Sequence, residues 1–92
     1  MKYKSLFQDE SEIDFCYRCS KYGATDCHHI FNAAYKKKSE EYGAMVRLCR
    51  DCHYIVHTKE MESFKRRGQI AIMKAYGMTI EDFRKEFGTN YL

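Results

Sequence analysis

The stretch Leu48-Cys-Arg-Asp-Cys-His-Tyr-Ile-Val-His57 decides how the chain folds, because it sets two thiols and two imidazoles on what reads as one helix. Its C-x-x-C pair, Cys49 and Cys52, has a counterpart upstream in Cys16-Tyr-Arg-Cys19. Each pair can chelate one face of a tetrahedral ion, so Cys16, Cys19, Cys49 and Cys52 are read as a structural Zn²⁺ knuckle. A zinc ion supplies the positive charge that keeps such thiols deprotonated, with Arg18, Lys21 and Arg50 as auxiliary cations nearby in sequence. A redox C-x-x-C calls for one motif near a βαβ pattern, and here there are two motifs and no such pattern. The fifth cysteine, Cys27, falls in an expected strand and reads as a small buried side chain rather than a ligand.

The chain has 92 residues, of which 45% are hydrophobic and 15% aromatic, which fits one folded domain and excludes disorder. Its 32% of charged residues and mean hydropathy of -0.66 leave a thin core that needs a staple. The odd cysteine count, and an N-terminus without a signal-peptide apolar region, favour a metal in a reducing cytoplasm over disulfides. No apolar run reaches the roughly eighteen residues of a membrane span. The net charge of +3 permits a nucleic-acid partner without requiring one.

The fold class expected is α+β. Residues 1–15 form an arm packed loosely before the first cysteine pair. Thr25 to Phe31 and Ala44 to Leu48 read as short strands. Between them, Asn32 to Gly43 reads as a solvated loop or irregular helix. Cys49 to His57 has helical spacing, and Lys59 to Tyr76 carries Met61, Phe64, Ile72, Ala75 and Tyr76 near one stripe, with a kink expected at Gly68. Gly77 ends that helix, Thr79 with Asp82 caps a last short one, and Gly88 closes it. Residues 59–92 are thus a C-terminal helical extension on a core of residues 16–58.

All four histidines fall in two clusters, His28-His29 on the first strand and His53 with His57 on the helix. Residues i and i+4 share a helix face, so His53 and His57 can grip one ion. Strand alternation separates His28 from His29 unless a bulge or strong twist turns both toward one cleft. The competing readings place His28 in the core, His29 on the surface and the other two at a helix end, or recruit His53 or His57 into the zinc shell.

The order C-x-x-C, His-His-Ile, a basic loop, then Leu-Cys-x-x-Cys-His-x-x-x-His resembles the HNH endonuclease family, whose fold is the ββα-metal (His-Me finger) domain. It spans Cys16 to His57, and its zinc-knuckle variants match Cys16, Cys19, Cys49 and Cys52. The resemblance implies that His29 is the general base, that His28, His53 and His57 hold a catalytic divalent metal, and that DNA is hydrolysed to 5′-phosphate and 3′-hydroxyl ends. It also implies a phage-type nuclease acting in the cytoplasm of a bacterial host. One position departs: Ala44 stands where the family's central Asn braces the loop holding the base, and Asn32 is the alternative brace.

All-imidazole ligation suits Ni²⁺, Mn²⁺ or Zn²⁺ at least as well as Mg²⁺. Lys36, Lys37, Lys38, Arg47 and Arg50 are the basic residues nearest the proposed site and are the candidates for phosphate contact, against the plainer reading of a solvated face. Lys65, Arg66 and Arg67 form a second, weaker candidate stripe. No separate sequence-reading module is visible, so weak specificity, structure-directed cleavage or targeting by a phage protein partner is expected. The rival from another class is a catalytically inactive zinc-binding module that binds nucleic acid or a partner protein.

Overall fold

The computed structural model describes residues 4–92. Two short strands, β1 (Asp26–His29) and β2 (Met45–Leu48), pair antiparallel in the register Asp26↔Leu48, Cys27↔Arg47, His28↔Val46 and His29↔Met45. Side chains alternate across a strand, so Asp26 and His28 share one sheet face with Leu48 and Val46, while Cys27 and His29 share the other with Arg47 and Met45. The strands are shorter at their ends than the sequence predicts. The segment between them is more ordered: a 3₁₀ turn (Ala33–Tyr35) leads into helix α1 (Lys36–Tyr42), whose Ser39 is fully buried. Three consecutive lysines mask this helix in sequence, because its buried face amounts to one small polar residue.

Helix α2 (Arg50–Ile55) starts directly after Cys49, and helical hydrogen bonding then continues to Tyr76, with Glu60 at φ -124° and ψ 15° just before the last segment. A π-helical turn (Val56–Glu60) joins α2 to α3 (Met61–Tyr76). The expected helix over residues 49–57 and its successor are therefore one rod. A final helix, α4 (Ile80–Phe87), opens with the Thr79/Asp82 capping box and closes at Gly88, as the sequence predicts. The core collects Val46 and Leu48 from the sheet, Val56, Phe64 and Ile72 from the rod, and Phe83 and Phe87 from α4. Phe31 sits at its centre, with ring centroids 5.6 Å from Phe83, 4.6 Å from Phe87 and 5.6 Å from Tyr91. No helix among the described residues is long and apolar enough to cross a membrane.

Over its described residues, 4–15, the N-terminal arm is pinned rather than loose; residues 1–3 lie outside the described residues. A two-stranded sheet leaves the outer edge of β2 with unpaired backbone groups, and such groups seek partners. Ser5 Oγ donates to Met45 O at 2.6 Å, Leu6 N donates to Gly43 O at 2.8 Å, and Arg47 N donates to the buried Gln8 Oε1 at 2.7 Å. Gln8 Nε2 also donates to Phe15 O at 3.0 Å, tying the arm to the approach of the first cysteine pair. At the other end, buried Gln69 donates to Asn90 Oδ1 and accepts from Tyr91 N, which locks the C-terminal tail onto α3.

Gly68 does not break α3, which is helical throughout. Its role is contact: a Cβ built there would lie 2.9 Å from Ile30 Cγ2 and 3.0 Å from Phe31 Cε2. The glycine lets the rod approach the chain just beyond β1. Gly68→Ala should therefore destabilise the protein, although alanine is the better helix former by about 1 kcal/mol. Overpacking of this kind costs about 1–3 kcal/mol, enough to outweigh the propensity gain. A lowered midpoint in a thermal melt is the expected result, and a raised one would show that the close approach has no energetic weight.

Candidate functional site

The first C-x-x-C pair sits on a tight turn. Cys16 N donates to Lys21 O, Ser20 N donates to Cys16 O, and Ser20 takes a left-handed φ of 66°. Phe15 and Tyr22 form an isolated antiparallel bridge at the base of the turn, their rings edge to face. The second pair straddles the junction of β2 with α2. Together the four Sγ atoms lie within 4.8 Å of one another, and Cys19 Sγ is 3.8 Å from Cys49 Sγ. A zinc tetrahedron with bonds of about 2.3 Å has sulfur–sulfur edges of about 3.8 Å, so the donor set fits that ion. The four cysteines can hold a structural metal such as zinc, as the spacing predicts.

The electrostatics agree with an ion among the thiols. Burial by itself would raise the Cys16 thiol, but backbone N–H groups of Cys49, Cys19 and Arg18 outweigh it and bring it down to about 6. Cys52 is pushed up to about 12 by burial and by the three neighbouring thiols, with Arg18 opposing. Four thiols this close cannot all ionise beside one another, and a divalent cation removes that penalty. Arg18 is the auxiliary cation the sequence suggests: Nη1 lies 3.5 Å from Cys52 Sγ, while Nε and Nη2 grip Glu60 at 2.9 and 2.8 Å. Lys21 and Arg50 line a depression that borders the cluster at Cys49, together with Tyr22 and Gly23.

The histidines form a second cluster. His28, His53 and His57 bring their ligand nitrogens within 4.8 Å of one another. His53 Nε2 and His57 Nε2 face each other at 3.1 Å. Ligands on a metal about 2.1 Å away, at the angles of an octahedron or tetrahedron, are spaced by about 3.0–3.4 Å. His28 comes from β1, is 1% exposed, and packs edge-on to both His53 and His57 with centroids 5.3 and 4.9 Å away. Its Nε2 is the one buried side-chain nitrogen or oxygen among the described residues with no hydrogen-bond partner. Burial first, and then the charges of His57, His53 and His29, lower His28 to about 4, so the imidazole is neutral and its lone pair is free for an ion. Burial and His53 lower His57 as well.

Asp26, two residues before His28 on the same sheet face, accepts from His53 Nδ1–H at 3.3 Å. That hydrogen bond leaves Nε2 of His53 as the ligand atom, the arrangement in which a carboxylate orients a metal-binding imidazole. The sequence reading missed Asp26, though the period-2 spacing to His28 was there to find it. His29 and His28 both line a groove of about 280 Å³, with Cys27, Asn32, Ala33, Lys36, His53 and His57. His29 Nε2–H donates to Glu40 Oε2 on α1 at 2.9 Å. Cys27 is partly buried there, 3.9 Å from Met45 Sδ, and joins neither metal cluster.

The candidate phosphate contacts are not gathered in one place. Lys36 lines the histidine groove. Lys38 is paired with Glu86 of α4 at 2.8 Å, Arg47 bonds Thr25 through Nε and Nη2, and Arg50 lies at the separate depression beside the cysteines. The loop after β1 is braced by the side chain of neither Ala44 nor Asn32. Ala44 is fully buried and contributes only backbone, accepting from Ile30 N at 2.9 Å, and Asn32 makes no side-chain cap. The brace is Ser39, whose Oγ donates to Phe31 O and accepts from Phe31 N.

No protein-family model, curated protein or solved structure matches the chain. Two measurements test the clusters. Cys52→Ser, or a strong chelator, should release one metal equivalent and unfold the domain together, because metal binding in so small a fold is folding free energy. Asp26→Ala should leave that metal and the circular dichroism spectrum in place while weakening Ni²⁺ or Zn²⁺ binding at the histidines by about 10–100-fold, measured by calorimetric titration.

Proposed function

We propose that the protein is a metal-dependent endonuclease of the HNH type that hydrolyses phosphodiester bonds in DNA. The observation that carries this reading is the buried, partnerless Nε2 of His28 beside the paired Nε2 atoms of His53 and His57, in one groove with His29. A buried imidazole nitrogen without a partner costs free energy that a packing role does not return. An ion at that point returns it. The succession β1, β2 and α2, with a thiol cluster clasping the start of the helix, supports the ββα-metal assignment.

In this reading His28, His53 and His57 would hold a divalent ion, which when bound would supply Lewis-acid stabilisation of charge on the phosphate and the departing oxygen. His29 takes a proton from the attacking water. The water oxygen bonds to phosphorus as the bond to the 3′ oxygen breaks, and solvent protonates the departing oxygen. Lys36, on the wall of the groove, contacts a phosphate oxygen, a sequence-independent interaction. Three neutral nitrogens favour Ni²⁺, Mn²⁺ or Zn²⁺ over bare Mg²⁺ for binding. With one basic residue at the groove, selectivity for DNA structure or delivery by a phage protein partner is the expected source of targeting.

The test is nicking of supercoiled plasmid by zinc-loaded protein, supplied in turn with Mg²⁺, Mn²⁺, Ni²⁺ and Zn²⁺. Wild type should nick with at least one ion, and His29→Ala should bind metal normally while losing about 10²–10⁴-fold in rate. Absence of nicking by folded, metal-loaded wild type would leave the inactive zinc-binding module as the reading.

A further inference from the structure

We propose that Glu40 is a positioning residue for His29, holding its ring in the tautomer that leaves Nδ1 free to accept a proton; this rests on the reading of His29 as the base. The contact is short and direct, Nε2 to Oε2 at 2.9 Å. A carboxylate can only accept, so of the two neutral tautomers the pairing selects the one with its proton on Nε2. The lone pair then resides on Nδ1. A base whose proton alternates between its two nitrogens presents the wrong atom for part of the time, and an orienting partner removes that loss.

The backbone on both sides of the contact is fixed, which separates it from an ordinary surface ion pair of little energetic worth. On one side, His29 ends β1 in register with Met45, and its neighbour Ile30 donates to Ala44 O at 2.9 Å. On the other, Glu40 follows Ser39, which is fully buried and whose hydroxyl bonds both backbone groups of Phe31. Ser39 O also accepts from Ala44 N at 2.8 Å. Residues 29–31 and 39–40 are thereby stitched to one another at several points, with the histidine side chain 17% exposed between them. Helix α1 is seven residues long, and this stitching gives it a reason to lie between the two strands.

The two carboxylates beside the histidines act on opposite ring atoms. Asp26 holds Nδ1 of His53 and leaves Nε2 to face His57, whereas Glu40 holds Nε2 of His29 and leaves Nδ1. One chemistry, a carboxylate accepting from an imidazole, sets one ring as a ligand and another as a base.

The experiment uses the full chain labelled with ¹⁵N and loaded with knuckle zinc, as wild type, Glu40→Gln and Glu40→Ala. Two-bond ¹H–¹⁵N spectra read the His29 tautomer, and plasmid nicking gives kcat and KM. Wild type should show the Nε2–H form, Glu40→Ala a mixture of tautomers, and Glu40→Gln the wild-type form, since an amide oxygen also accepts. In step with this, kcat should fall by about 10–100-fold in Glu40→Ala with KM and metal affinity unchanged, and recover in Glu40→Gln. An Nδ1–H tautomer in wild type, a tautomer unaltered by Glu40→Ala, or an unaltered kcat would overturn the proposal. If no form nicks DNA while the tautomer follows Glu40, the nuclease reading falls and the orienting contact stands.

Discussion

Four sulfur atoms within 4.8 Å of one another, placed to share one metal ion, bring the turn at residues 16–19 to the junction of β2 with α2, where Tyr17 N also donates to Arg47 O at 2.8 Å. Because Cys49 is the residue before α2, the cluster also sets where that helix begins and how it is rotated. A helix turns about 100° per residue, so Cys52 can point into the thiol cluster while His53, the next residue, points toward β1. His57 follows one turn later and meets His53 across 3.1 Å. The histidine cluster thus inherits its geometry from the cysteine cluster. Arg18 reinforces the link by reaching from the turn to both Cys52 and Glu60 at the end of the π-helical turn.

The thin core is supplemented by polar clamps. Gln8, Ser39 and Gln69 are buried, and each makes at least two hydrogen bonds: Gln8 joins Phe15 to Arg47, Ser39 closes on both backbone groups of Phe31, and Gln69 holds Asn90 and Tyr91. Each clamp fixes a segment that has too few apolar side chains to fix itself. His28 is the buried polar residue that breaks this pattern, since its Nε2 has no partner. Every other buried side-chain nitrogen and oxygen among the described residues is satisfied, so this exception is the place where the proposed reading puts a metal ion. The π-helical turn at Val56–Glu60 falls at the same place, carrying His57. Such turns cost hydrogen-bond quality and gather at functional sites.

Much of this was legible in the chain because it depends on short spacing. Two C-x-x-C pairs, His53 with His57 at i and i+4, the capping box at Thr79 and the glycine stop at Gly77 are all properties of a few neighbouring residues. The features that escaped involve residues far apart or helices of unremarkable composition. Helix α1 hides behind three lysines because its one buried side chain is a serine. Gly68 looks like a weak point until Ile30 and Phe31 are seen against it. The arm looks loose until the free edge of β2 is known to need partners. The partners of Lys38 and Arg47, Glu86 and Thr25, lie far from them in sequence and show only in the fold.

By itself, the sequence determined which residues can bind metal and that they fall into a thiol set and an imidazole set, because ligand chemistry belongs to residue type and chelation to local spacing. Tertiary structure alone decided how the sets are oriented: that His28 is buried without a partner, that Asp26 takes one ring nitrogen of His53, and that Glu40 takes the other kind from His29. The physical reason is that a hydrogen bond selects one atom of a ring through distance and direction. Between residues eleven and twenty-seven positions apart, those are set by the path of the whole chain.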